Sequence, residues 1–171
     1  LLKNHLSLSE QRLLLDLSGE WTITIDGRSR AINVPGNYDY EGRVVYKKTF
    51  TPGPEFRGKH FRLVSYGINF HAEIRINGVF IANMNNAYLH TETDLDETVI
   101  KAEEPNTIEI AVDSRLDPRT SIPRYARTLQ PKLYGGIFRE IFLIATPKMT
   151  IDKYRVNYEI SPDQRSCDMV L

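Results

Sequence analysis

A chain of 171 residues, 41% of them hydrophobic, can bury one full core and begin a second. Its 22 Lys and Arg balance its 22 Asp and Glu, which excludes the one-signed field that attracts nucleic acid or anionic lipid and leaves neutral partners such as sugars. The single cysteine, Cys167, excludes an internal disulfide, the histidines (His5, His60, His71, His90) are too scattered for a metal motif, and no apolar run approaches the roughly 20 residues of a membrane helix.

The first leucine-rich stretch, Leu8 to Leu17, follows a possible cap at Ser9 but is short, and it is expected to lie as an arm against the domain. From Trp21 onward the apolar residues take every second place, the period of strands with one buried face. Trp21 to Asp26 is a predicted strand whose exit turn is Asp26-Gly27. Val44 to Phe50 is the next, closed by Pro52, Gly53 and Pro54, and His60 to Tyr66 the third. Phe70, Ala72, Ile74 and Ile76 alternate against His71, Glu73 and Arg75. Asn77-Gly78 then supplies the positive φ values of a tight hairpin, so Val79 to Ala82 should pair back. Thr107 to Val112 alternates again, and Ile137 to Ala145 is continuously apolar, as a strand near the middle of a sandwich would be.

Seven or more short strands with no sustained 3.6-residue period predict an all-β fold of two packed sheets. Two segments break the pattern. Asp113 to Lys132 carries Pro118, Pro123 and Pro131 together with Arg115, Arg119, Arg124 and Arg127, and loops of that length are often functional. Beyond Thr146-Pro147-Lys148, residues Tyr154, Val156, Tyr158 and Ile160 alternate as the first strand of a separate module.

A series of short motifs runs through the chain in a fixed order. Leu17-Ser18-Gly19-Glu20-Trp21 is followed by Val34-Pro35-Gly36-Asn37-Tyr38, Tyr46 with Phe50, and Ile76-Asn77-Gly78. Tyr88 and Asp94 come next, then Pro105-Asn106-Thr107-Ile108 and Tyr134-Gly135-Gly136-Ile137-Phe138-Arg139. In this order they resemble the N-terminal sugar-binding domain of glycoside hydrolase family 2, the family of many β-galactosidases, β-glucuronidases and β-mannosidases. The resemblance implies a galactose-binding-like jelly-roll β-sandwich over residues 16–146, after an arm at 1–15. It also implies the first strand of an immunoglobulin-like sandwich at 147–171.

It implies further that the family's two catalytic glutamates lie on a (β/α)8 barrel beyond the immunoglobulin-like domain, so this stretch is expected to be a non-catalytic scaffold of a glycosidase, with a free-standing carbohydrate-binding module or a structural or adhesive sandwich as the alternatives. The absent domains are its expected partners, carbohydrate a further candidate, with no cofactor, nucleic acid or membrane. In some β-galactosidases this domain lends an Asn and an Asp to the active-site rim, and those places hold Lys48 and Gln130 here. The candidate interface or substrate rim is therefore Lys48, Arg115, Arg119, Arg124, Arg127, Gln130 and Tyr134.

Core packing is expected for Trp21, which begins the inward phase with Ile23 and Ile25, and turn roles for Asn77 and Gly78. Gly135-Gly136 should supply torsions for entry into the last strand, and Arg139 should reach an acid or carbonyls to fix the loop. Asp94, Asp96 and Glu97 read as a solvated acidic face rather than a calcium site. The start at Leu1 and the stop within an apparent strand are expected of a trimmed fragment, and a removed leader would favour a periplasmic or extracellular setting over the cytoplasm.

Overall fold

The computed structural model describes residues 12–85, 89–115, 134–151 and 155–170. Among them the chain forms strands, one 3-10 turn at Pro54–Phe56 and no α-helix. The larger sheet has six antiparallel strands. In spatial order they are β3 (Arg28–Val34), β2 (Gly19–Ile25), β5 (Arg43–Phe50), β11 (Asn106–Asp113), β8 (His71–Ile76) and β9 (Val79–Met84). Facing it is a four-stranded sheet of β1 (Leu13–Asp16), β13 (Ile141–Thr146), β6 (His60–Ser65) and β10 (Thr91–Leu95). A small third sheet joins β4 (Gly36–Tyr38), β12 (Gly135–Ile137) and β7 (Ile68–Asn69), and β14 (Asn157–Ile160) pairs with β15 (Cys167–Val170) as a hairpin. This is the β-sandwich that the alternation predicts.

The alternation sets the core. In β11, Ile108, Ile110 and Val112 are fully buried while Glu109, Ala111 and Asp113 face outward, and β8 inserts Ala72, Ile74 and Ile76 beside them. Phe61, Leu63, Ile141 and Leu143 meet them from the other sheet. Trp21 packs edge-on to Tyr46 and donates its indole N–H to the Leu17 carbonyl at 2.7 Å, so it is a core residue with its one polar atom satisfied.

Three departures from the sequence reading have local causes. Ile137 to Ala145 is not one strand: the chain bends at Phe138–Glu140, and its two parts join different sheets. The continuous apolar run of β13 arises because that strand is covered on both faces. Leu143 faces the main core, while Phe142 and Ile144 form a second cluster with Val64, Leu14 and Tyr66 on the outer side. β3 escaped prediction because Arg28, Ser29, Arg30 and Ala31 are all exposed at the sheet edge and carry no apolar period. Leu13–Asp16, within the stretch read as an arm, is an edge strand registered on β13 from Leu13↔Ala145 to Asp16↔Phe142. Ser9 and Tyr88 lie outside the described residues.

Two buried tyrosines make the sandwich sensitive to alkali. Burial pushes the Tyr38 hydroxyl up to about 12 and raises Tyr46 as well. A folded-state pKa above the unfolded value means that this stabilisation is complete below about pH 10 and is lost as pH rises towards 12. In a titration followed at 295 nm, Tyr38 and Tyr46 should ionise only together with loss of the sheet dichroism. Ionisation of all nine tyrosines near pH 10 with the sheet signal intact would contradict this packing.

Candidate functional site

The segment that carries Arg119, Arg124, Arg127 and Gln130 lies outside the described residues, but both of its ends are defined. On the leading side, Ser114 is 1% exposed. Its backbone N–H donates to the Gly42 carbonyl at 3.1 Å and its hydroxyl to the Tyr40 carbonyl at 2.9 Å. On the returning side, the side-chain amide of buried Asn69 donates to the Tyr134 carbonyl at 2.9 Å. The two ends touch. A Cβ placed on Gly135 would stand 2.7 Å from the Ser114 Cβ and 2.2 Å from the Tyr38 hydroxyl. Ser114 and Gly135, which flank the segment, therefore meet at one point, over a base of Tyr38, Ser114 and the two glycines.

Gly136 makes this base possible. Its φ of +152° suits glycine, and its position between β4 and β7 brings the Gly36 carbonyl oxygen within 2.5 Å of where a Cβ would be. The Gly-Gly pair thus supplies the unusual torsion that the sequence suggested and, beyond it, a close approach of backbone between strands.

Of the proposed rim residues, Arg115 and Tyr134 stand at this base and Lys48 does not. Arg115 forks onto Asp113, with its Nε 3.0 Å from Oδ1, and this guanidinium holds the Asp113 carboxyl below its ordinary range. Tyr134 is 42% exposed. Lys48 is five residues along β5 from Arg43, the partner of Asp113, which is roughly 17 Å at the strand rise. It occupies the inward phase of β5, where its ammonium donates to the carbonyls of Ser18 at 3.2 Å and Glu20 at 2.9 Å and lies over the Trp21 ring. Those contacts fasten the start of β2. Arg139 is exposed in the bend before β13, not buried against an acid, so the loop is held by Ser114 and Asn69 instead. Those two polar residues were not singled out from the sequence, because only their long-range hydrogen bonds reveal them.

Three acids on the sheet faces are engaged by cations. Glu73 binds Arg43 and Arg75, Glu109 binds Lys47, and Asp94 takes hydrogen bonds from Arg62 and His60. Hydrogen bonding to these cations lowers the pKa values of Glu73 and Asp94, the reverse of what a general acid for glycoside cleavage needs. Asp96 caps Thr98 and Glu97 pairs with Lys148 at 2.7 Å, so the acidic run Asp94, Asp96 and Glu97 points to three different partners.

Among the described residues, the largest group of exposed apolar side chains lies in the C-terminal hairpin. Val156, Tyr158, Ile160 and Met169 share one face of the β14–β15 hairpin, where Tyr158 and Met169 are direct partners and more than 60% exposed. A two-stranded hairpin with one open apolar face is marginal alone and needs a covering layer. Met149 and Ile151, in the link before it, are also exposed.

The glycosyl hydrolase 2 galactose-binding domain-like family matches residues 37–136. The chain is 25% identical over 145 residues to a β-galactosidase of Thermoanaerobacterium thermosulfurigenes, covering 82% of this chain and 20% of that protein. It is 31% identical over 136 residues to β-galactosidase BoGH2A of Bacteroides ovatus, covering 78% of this chain and 15% of that protein. In structure it superposes on a β-D-glucuronidase of Dictyoglomus thermophilum with a TM-score of 0.75 at 24% identity, covering 91% of this chain and 32% of that one. A β-glucuronidase of Ruminococcus gnavus in complex with D-glucuronic acid gives the same TM-score at 22% identity. The chain spans a fifth or less of the length of these curated relatives.

Proposed function

Because the chain belongs to the glycosyl hydrolase 2 galactose-binding domain-like family, we propose that it is the accessory sandwich of a longer glycosidase that cleaves β-linked sugars, β-galactosides first among them. In this reading the sandwich ends at Thr146, and residues 147–171 open an immunoglobulin-like domain. The open apolar face of Val156, Tyr158, Ile160 and Met169 supports it most, because a second sandwich would supply the missing layer. Lys148, paired with Glu97, would fix the direction in which the chain leaves the first sandwich. The segment from Arg115 to Tyr134, with Arg119, Arg124, Arg127 and Gln130, is the proposed contact to the catalytic barrel or the rim of its substrate site. The two flanks of the segment, Ser114 and Gly135, meet beside Tyr38, which supports one shared place of attachment. A glycan array tests the scaffold role: the purified chain should capture no glycan, and strong, sugar-specific capture would instead identify a binding module.

A further inference from the structure

We infer that the face of the β14–β15 hairpin holding Ile160, Cys167, Tyr158 and Met169 is one half of an interior, closed in the longer polypeptide by a facing sheet of its own second sandwich, with the Cys167 thiol inside. To the reading of residues 147–171 as the opening of an immunoglobulin-like domain, on which this rests, the register adds which face is covered, what covers it and where the cysteine lies.

In an antiparallel pair, directly opposed residues project to the same side of the sheet, and the side alternates at each step along a strand. Ile160 opposes Cys167 and Tyr158 opposes Met169, so these four side chains form one patch. All four are exposed, Tyr158 at 64% and Met169 at 70%. Asn157, Glu159 and Asp168 take the other phase, and Glu159 stands directly opposite Asp168. Two carboxylates facing across a strand pair repel, a cost that water and salt must screen, so that face stays wet. The patch with Cys167 is the face whose burial takes no charge out of water. A reduced cysteine is among the side chains most often buried and packs as a small hydrophobe. Its one polar contact here, 3.9 Å to the Asp168 carbonyl, stays within its own strand and survives covering.

The connection selects the occupant. The superposition on the Dictyoglomus thermophilum β-D-glucuronidase covers 91% of this chain, more than the 146 residues up to Thr146 can supply out of 171, so the shared fold runs on past Thr146. Only 32% of that chain is matched, so part of residues 147–171 has its counterpart within a longer polypeptide. A sheet carried on the same polypeptide meets the patch at an effective concentration on the order of millimolar, which a separate copy in dilute solution does not reach. A sheet also suits the patch in shape, since two sheets pack about 10 Å apart with their side chains interdigitating in the gap.

Thiol labelling reads the covered face directly. With excess iodoacetamide, Cys167 of the 171-residue chain should react as fast as in an unfolded control, at low and high protein concentration alike. In the native longer polypeptide, labelling of the peptide that holds Cys167, followed by mass, should be slower by about a hundredfold or more, because the thiol reacts only when the layers part. Glu159→Cys, on the opposite face, should label fast in both. Labelling of Cys167 in the longer polypeptide at the rate of the short chain would overturn the inference. So would equal protection of position 159, or protection of Cys167 in the concentrated 171-residue chain, which would make a second copy the occupant. Turnover of a nitrophenyl β-glycoside by the same samples separates this from the reading beneath it. An active polypeptide with an open Cys167 refutes the covered face and leaves the glycosidase standing, whereas an inactive one with a protected Cys167 supports the covered face and refutes the glycosidase.

Discussion

Asn106→Ala lowers the unfolding free energy by about 4 kcal/mol, at about 1 kcal/mol for each of the four hydrogen bonds that its buried amide makes. Oδ1 accepts from the Lys101 N–H at 2.9 Å and the Asn77 amide at 2.8 Å, and Nδ2 donates to the carbonyls of Lys101 and Glu104. The Asn77 amide keeps its bond to the Val99 carbonyl, but the other bonds are lost with the side chain, and Asn106 itself is 0% exposed. Two elements loosen at once, the 99–105 loop and the β8–β9 turn, so unfolding in urea should shift with a clear fall in midpoint. Asn106→Asp separates the donors from the acceptors. At neutral pH its carboxylate faces two carbonyls and costs as much as alanine. Those carbonyls raise the carboxyl's folded pKa above its unfolded one, so protonation on going to acid restores a donor and relieves part of the loss. A loss below about 1 kcal/mol for the alanine variant would mean that the clasp is incidental.

Gly136→Ala costs about 3 kcal/mol or more, since the added carbon meets rigid backbone and a strained torsion together. It would lie 2.5 Å from the Gly36 carbonyl oxygen and 2.8 Å from the Asn37 Cα, at a φ of +152°. The neighbouring strands can yield only by parting β12 from β4, which opens the base beneath Ser114 and Tyr134. Gly78→Ala is the matched control. It too has positive φ, but it faces open space, and its cost should stay near 1 kcal/mol. Equal effects for the two variants would show that torsion alone, not the closeness of β4, dictates glycine at position 136.

The parts of the fold that were legible in the sequence are those where one face is wet and the other dry. β2, β5, β8 and β11 alternate because each lies inside the larger sheet with its outer face in solvent. β3 was invisible because an edge strand that buries little has no apolar period to show. The break between β12 and β13 was invisible for the opposite reason: both parts are buried, and a change of sheet leaves no mark on a run that is apolar throughout. Asn77-Gly78 gave the turn, but not the clasp that Asn77 makes with Asn106 across 29 residues of sequence. The candidate site divides in the same way. Most of its prolines and arginines lie outside the described residues, and the Gly-Gly pair marked the return to the sandwich. Ser114 and Asn69, which pin its two ends, are ordinary polar residues until the fold brings them to their partners. Lys48 interrupts an otherwise apolar inward phase in β5, and that irregularity was the available sign that its amine serves the backbone of β2.

With Glu73, Glu109 and Asp94 tied to cations in the surface ladders, residues 1–171 are expected to cleave no glycosidic bond by themselves. The direct measurement is hydrolysis of nitrophenyl β-galactoside and β-glucuronide by residues 1–171 alone and by the longer polypeptide that carries them. Turnover is expected from the longer polypeptide only. Hydrolysis by residues 1–171 that persists through purification and survives controls for copurifying enzymes would contradict the account, as would a longer polypeptide that cleaves no β-glycoside.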